Sequence, residues 1–253
     1  MKYTAILLAG SRPGPDAFAE QFGIELKALI PVAGEPMVRR PVDALLASEN
    51  IGDVIVLAQN PDRIAQALPD DERIKVRSSG ATIASTMLAL CFDRQTQWPL
   101  LVTTADHALL DCATVDEFCS AATGDIAIGV VERRTLLERF PNTKRTWLRF
   151  RGGAYTGANL FALKSPKVAG AIELWRSVEG ERKKGWRVVS LLGPYVLIGT
   201  LLRLLSIDGA LGNVGRKLGL TITAVRLNNP VAGIDVDKPA DHELAEAIIG
   251  GRA

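Results

Sequence analysis

The stretch AILLAGSRPG, Ala5–Gly14, decides how the rest of the chain reads. An apolar run stops abruptly in small residues, one arginine and one proline. A strand covered on both faces ends in this way when the backbone beyond it must come close to something. In open α/β sheets ligands gather at the carboxyl ends of the strands, and the loop after Gly10 would lie there. Small residues let backbone N–H groups approach a phosphate, and a following helix adds positive potential. The residues exclude two specific phosphate loops. No Gly-Lys pair follows for a Walker loop, and Gly10 and Gly14 do not make the G-x-G-x-x-G of a dinucleotide site. Taken alone, the stretch reads equally well as a tight structural turn.

Working outward, short apolar runs recur. YTAILLAG, DVIVLAQ, PLLVTTAD and DIAIGVVE are apolar on both faces, as central strands of a covered parallel sheet are. Between them, GEPMVRRPVDALLASE and TIASTMLALCFDR space apolar residues by three and four, as helices do. Pro36 stands near the start of the first, where a missing N–H costs nothing. Strands alternating with helices predict a three-layer α/β fold, a mostly parallel sheet flanked by helices. From about residue 133 the pattern loosens. TWLRFRGGAY, NLFALK, TITAVRLN and GIDVD read as strands, and PKVAGAIELWRS as a helix. KPADHELAEAIIGG reads as a closing helix, with Pro239 at its start and Gly250 at its end. With no clear linker, the expectation is one domain over 1–253, with a first half, 1–132, and an elaborated second half, 133–253.

Composition narrows the function. Thirty basic and 28 acidic side chains leave a net charge of +2, which argues against a general nucleic-acid binder and leaves room for a local basic patch. Cys91, Cys112 and Cys119 have no CxxC spacing and cannot all pair, so a reduced, cytoplasmic setting is expected. No apolar stretch reaches the ~20 residues that span a bilayer.

Two carboxylate positions stand out. Asp106 follows the buried run PLLVTT, where an acid points into the ligand crevice and suits a hydrated Mg²⁺ bridging phosphates. The plainer reading is that Asp106 or Asp111 caps a following helix. In GIDVDKPADHELAEAI, Asp235 and Asp237 share one face of an extended segment, as two carboxylates aimed at one cation would. The plainer reading there is that Asp237 only caps the last helix.

The N-terminal residues carry a resemblance. LAGSR, then Lys27, then ALIPVAGEPM closely resembles the signature of the nucleotidyltransferases with a GT-A-like fold, among them the sugar-phosphate nucleotidyltransferases and the MobA-like guanylyltransferases. Those proteins read LAGG-x-G-x-R, then K, then L-x-P-x-x-G-x-P. Here Ser11 replaces the second glycine, and the longer insertion PDAFAEQFGIE separates Gly14 from Lys27. The resemblance implies that Leu8, Ala9, Gly10, Ser11 and Gly14 wrap the nucleotide phosphates in the first half. It also implies that Arg12 and Lys27 neutralise their charge, and that Asp106 is a metal aspartate. GIDVDKP resembles the family's VDTPEDL element, which makes Asp237 the second metal ligand, with Lys238 in place of threonine and Asp235 as the fallback. RSSGATIAS resembles the base-side element, giving Gly80, Thr82 and Ser85. The alternative there is a plain turn with Ser79 or Thr82 capping. YTGANLF resembles the entry beside sugar and acceptor in the second half, giving Gly157 and Asn159.

The expected activity is Mg²⁺-dependent transfer of a nucleoside monophosphate from an NTP, CTP or GTP, to a phosphorylated small-molecule or lipid-like acceptor, with pyrophosphate leaving. Catalysis is assigned to Lys27, Arg12 and Asp106. No protein nucleophile is needed, in keeping with the lack of a Ser/His/Asp or Cys/His set; His107 and His242 read as polar neighbours. The segment GERKKGWRVVSLLGPYVLIGTLLRLL places Lys183 and Lys184 beside an apolar run, as acceptor-binding residues or as a solvated face ahead of a core helix. It leaves room for a homodimer and for peripheral membrane contact through 181–205. A glycosyltransferase on the same fold would want a D-x-D in the middle of the sequence, which TTADHA does not supply. A non-catalytic nucleotide-binding protein would be expected to lose Lys27 or an aspartate.

Overall fold

The computed structural model describes residues 1–10, 14, 16–179 and 205–253. At its centre is β1 (Tyr3–Leu8), hydrogen-bonded in parallel to β4 (Ile51–Ala58) on one side and β6 (Leu100–Thr104) on the other. β5 (Ile74–Ser78) continues the sheet beyond β4. Beyond β6 lies the long strand β9 (Gly153–Leu163), which runs antiparallel to β6 and to β7 (Ile126–Glu132). β10 (Ile222–Leu227) pairs in parallel with β7, and β8 (Leu148–Phe150) pairs with the start of β9. The order is β10-β7-β9-β6-β1-β4-β5.

Alternation along β1 builds the layers. Ala5 and Leu7 point to one face, into a cluster with Leu45 of α2 (Arg39–Ala47), Phe118 of α5 (Cys112–Ala121), Leu136 of α6 (Arg133–Arg139) and Ala245 of α9 (Pro239–Ile249). Ile6 points to the other face, against Met87 and Leu90 of α4 (Ile83–Phe92) and Ile172 of α7 (Ala169–Glu179). Apolar side chains on both faces are what a helix-covered sheet requires, each fully buried Leu or Ile contributing roughly 1.5–3 kcal/mol. The expected three-layer, mostly parallel fold is therefore present. α8 (Ile207–Leu218) precedes β10, and α1 (Ala17–Glu20) and α3 (Pro61–Ala65) complete the described α-helices.

The structure departs from the sequence reading in three places. The helix expected from Gly34 onward starts only at Arg39. Pro36 instead belongs to β3 (Glu35–Pro36), paired with β2 (Pro31–Val32), because Ala33 and Gly34 both take positive φ (50° and 83°) and close a two-residue hairpin turn. TWLRFRGGAY is two strands, folded back at Gly152, whose φ of +93° suits a residue without a side chain. GIDVD is an irregular segment that leaves a 3₁₀ turn at Pro230–Gly233.

Candidate active site

β1, β4, β5, β6 and β7 all end on one edge of the sheet. There Leu8 accepts a hydrogen bond from the Ala105 N–H (3.0 Å), and the Ala9 N–H donates to Leu57 (2.9 Å). The first bond binds the end of β1 to the loop after β6 that carries Asp106, and the second binds the loop after β1 to β4. Ser11 and Arg12 lie outside the described residues, as do Lys183 and Lys184. Of Gly14 the structure shows an exposed position with φ +99°.

Lys27 opens a 3₁₀ turn (Lys27–Leu29) that leads into the β2–β3 hairpin. Its ammonium donates to Asp106 Oδ2 at 3.0 Å and to Asp237 Oδ1 at 2.5 Å. Three residues from the beginning, middle and end of the sequence thus meet in one ion-paired group. The hairpin that follows Lys27 is itself held by α9: His242 Nε2 donates to the Pro31 carbonyl (2.7 Å) and Glu246 Oε1 accepts from the Ala33 N–H (2.5 Å). Thr104 donates to Asp106 Oδ1 at 2.6 Å, and the Asp106 carbonyl accepts from the Val236 N–H at 2.9 Å. That backbone bond ties the loop after β6 directly to the 235–237 segment.

The group remains reachable from water, with Lys27, Asp106 and Asp237 side chains 19%, 23% and 59% exposed. Burial alone would disfavour the charged Lys27, but Asp106 and Asp237 outweigh it and hold its pKa above the ordinary lysine value. Burial likewise works against the Asp237 carboxylate, and the Lys27 ammonium overcomes it, leaving that pKa below the usual range. His107, next to Asp106, is fully buried. Burial pushes its pKa down to about 4 against the pull of the Asp106 charge, so it is neutral and faces the protein interior.

The plainer alternatives resolve as follows. Asp111 is the N-cap of α5, accepting from the Thr114 N–H (2.8 Å), which leaves Asp106 free for Lys27. The N-cap of α9 is Lys238, so Asp237 is not its cap. Thr82 does cap α4: its Oγ1 accepts from the Ser85 N–H (3.1 Å), and Ser85 Oγ accepts from the Thr82 N–H (3.0 Å). Gly80 packs against this helix start, where a Cβ would come within 2.8 Å of Ser85 Oγ. Gly157 is exposed with open space around it, and Asn159 takes φ +48° beside a register shift between Ile128 and Val130. Both lie in the part of β9 that comes before its pairing with β6, on the side of the edge where β6 ends.

The sequence reading missed Arg145, from the loop before β8. Its Nη1 donates to Asp235 Oδ1 (2.6 Å), and its Nη2 to the Asp235 carbonyl (3.3 Å) and to Asp241 Oδ1 (3.0 Å). Asp241 Oδ2 in turn accepts from the Asp237 N–H (3.3 Å). Nothing around KRTW marks Arg145 out, since its partners lie 90 and 96 residues further on. Asp235 and Asp237, expected to act as a pair, therefore have different cations as partners. Burial and the Asp237 charge raise the Asp235 pKa, while Arg145 pulls it down.

Residues 5–208 match the MobA-like NTP transferase domain. The chain belongs to this family. Among solved structures, a hypothetical transferase from Thermus thermophilus is 31% identical, with a TM-score of 0.80 over 96% of this chain and 100% of its own. The 4-diphosphocytidyl-2C-methyl-D-erythritol synthase of Anaerococcus prevotii shares the fold at 12% identity and a TM-score of 0.60, over 98% of this chain and 99% of its own. A CMP:2-keto-3-deoxy-manno-octonic acid synthetase complexed with CTP does so at 13% and 0.57, over 99% and 100%. No curated protein sequence matches this one. No helix among the described residues is long and apolar enough to cross a membrane.

Proposed function

We propose that this NTP transferase is a Mg²⁺-dependent nucleotidyltransferase that moves an NMP, from CTP or GTP, to a phosphorylated acceptor and releases pyrophosphate. The observation that carries the reading is the Lys27 ammonium held between the Asp106 and Asp237 carboxylates at the carboxyl edge of the sheet. Residues 1–132 would bind the nucleotide, and 133–253 the acceptor together with the C-terminal acid, within one cytoplasmic unit.

The residues fit a magnesium ion. Among the described residues no three Asp, Glu, His or Cys side chains are arranged to cage a metal alone. Magnesium rarely asks for such a cage: it is held by one or two carboxylates, phosphate oxygens and water. Asp106 and Asp237 are two hard oxygen donors, and they already share a cation, Lys27. The hydrogen bonds join four carboxylates (Asp106, Asp235, Asp237, Asp241) to only two cations, Lys27 and Arg145. That surplus negative charge suits a divalent ion. Asp106 and Asp237 would hold the Mg²⁺, which when bound would supply positive charge to neutralise the phosphates.

The protein's own groups do the rest. An acceptor phosphate oxygen attacks the α-phosphorus, the bond to the bridging α–β oxygen breaks, and its electrons leave with pyrophosphate. Lys27, whose ammonium lies between the two carboxylates, would stabilise the charge that grows in this in-line transfer. With the Ala9 N–H already given to Leu57, the loop would offer the phosphates the Gly10 N–H. Gly80 lets the base approach the start of α4, and Gly157 leaves room for the acceptor. Neutral, buried His107 takes no proton. A pyrophosphate-release screen of the four NTPs with Mg²⁺ against phosphorylated sugars, polyols and lipid phosphates tests the reading. Release that needs both one NTP and one acceptor supports it; hydrolysis or silence across the panel contradicts it.

A further inference from the structure

We propose that Arg145 is a positioning residue: its guanidinium engages Asp235 and, through Asp241, fixes the backbone at Asp237, so that the Asp237 carboxylate is the one presented to Lys27 and the cation. This rests on the nucleotidyl-transfer reading and deepens it.

The argument starts from what holds residues 235–237. This segment has no strand or helix hydrogen bonds of its own, yet it must deliver a carboxylate with little freedom. Three contacts fix it. Val236 N–H bonds to the Asp106 carbonyl, Asp237 N–H bonds to Asp241 Oδ2, and Arg145 bonds to both the side chain and the carbonyl of Asp235. Arg145 also holds the other oxygen of Asp241, so one guanidinium governs both ends of the segment. The fork is buried: the Arg145 and Asp241 side chains are 7% and 6% exposed. A planar guanidinium reaches two carboxylates and a carbonyl in fixed directions, which a lysine ammonium on a flexible stem cannot do.

The arrangement also assigns roles to the neighbouring acids. Asp235 and Asp237 are equivalent in the sequence pattern, but Arg145 occupies Asp235, while Asp237 stays more than half exposed and faces Lys27. Arg145 Nε is buried without a hydrogen-bond partner among the described residues. A group optimised for stability alone would not leave a donor unpaired, since this costs on the order of 1–3 kcal/mol.

The test compares Arg145→Lys, Asp235→Asn and the double variant with the wild type. Mn²⁺ affinity is read by electron paramagnetic resonance in the presence of the NTP that supports pyrophosphate release. The kcat, the NTP KM and the melting temperature are measured alongside. Loss of an outer residue that orients a metal ligand weakens metal binding by about 10–100-fold. Arg145→Lys is therefore expected to raise the Mn²⁺ Kd by about ten-fold or more and to lower kcat in step, with the NTP KM within about three-fold. Asp235→Asn should do the same. The double variant should be no worse than the weaker single one, because both act through one contact. Should Arg145→Lys not fold, Asp235→Asn decides by its own Mn²⁺ Kd, since the amide keeps an acceptor oxygen. Three results overturn the proposal: wild-type Mn²⁺ affinity and kcat in the variants whatever their melting temperature, multiplied defects in the double variant, or complete loss of Mn²⁺ in Asp235→Asn, which would make Asp235 itself the ligand. A wild-type protein that binds no Mn²⁺ with any NTP removes the nucleotidyl-transfer reading, and this proposal with it.

Discussion

Two ion-paired groups sit side by side at the carboxyl edge of the sheet, built from the same kind of residues and put to opposite use. In one, Lys27 joins Asp106 and Asp237, and the Asp237 carboxylate is open to water. In the other, Arg145 joins Asp235, which is 29% exposed, and Asp241, and the Arg145–Asp241 pair is sealed from it. Pairs with an exposed partner contribute about 0–1 kcal/mol, so the Lys27–Asp237 pair adds little to stability and can be taken apart by a ligand. Breaking a buried pair leaves an uncompensated charge at a cost of roughly 3–5 kcal/mol, so the Arg145–Asp241 pair is fixed. Chemistry belongs with the pair that can exchange partners, and architecture with the pair that cannot.

The largest expected effect is on turnover. Asp106→Ala should lower pyrophosphate release by at least about 10²–10³-fold, the scale of losing one preorganised electrostatic group, while the fold survives. Steady-state rates with a melting curve check both halves of that statement. Near-normal activity in limiting Mg²⁺ would dissolve the distinction between the two groups.

Next comes stability. Asp241→Ala should cost about 3 kcal/mol in urea unfolding, since it strips a buried guanidinium of one carboxylate. A loss under about 1 kcal/mol would mean that the sealed pair is no more structural than the open one.

His107 sharpens the comparison from the side of pH. It is buried and neutral next to Asp106, with a folded pKa of about 4 against an ordinary 6.5. Its folded pKa is depressed, so the stability it confers is full above pH 6.5 and is lost as pH falls from 6.5 through 4. The wild type should lose on the order of 2–3 kcal/mol more over that window than His107→Gln, measured by unfolding at each pH. Equal losses would place a charged histidine in the interior.

The smallest effect is Asp237→Ala on stability, expected within about 1 kcal/mol of wild type although it removes a member of the site.

The sequence made the open group legible and hid the sealed one. Each member stands in a local pattern: Asp106 follows an apolar run, Asp237 stands before a proline-led helix, and Lys27 stands before the short apolar run ALIPV of the family signature. The strand–helix alternation of the first half came through for the same reason, because burial on both faces writes itself into continuous apolar runs. Arg145 lies in an irregular loop, and its role is set by partners that only the fold brings near. The hairpin at Ala33–Gly34 was obscured because VAGEP sits directly against a helical pattern. The fold back at Gly152 was obscured because strand-forming residues flank it on both sides. The expectations placed on Arg12, Lys183 and Lys184 concern residues outside those described.

The most direct test of the central claim is Lys27→Ala assayed at saturating acceptor, with kcat and the NTP KM determined separately. The charge that Lys27 meets grows in the transition state. The account predicts a kcat lower by about 100-fold or more and a KM within about three-fold of wild type. An unchanged kcat with only a raised KM would contradict it and reduce Lys27 to a binding residue.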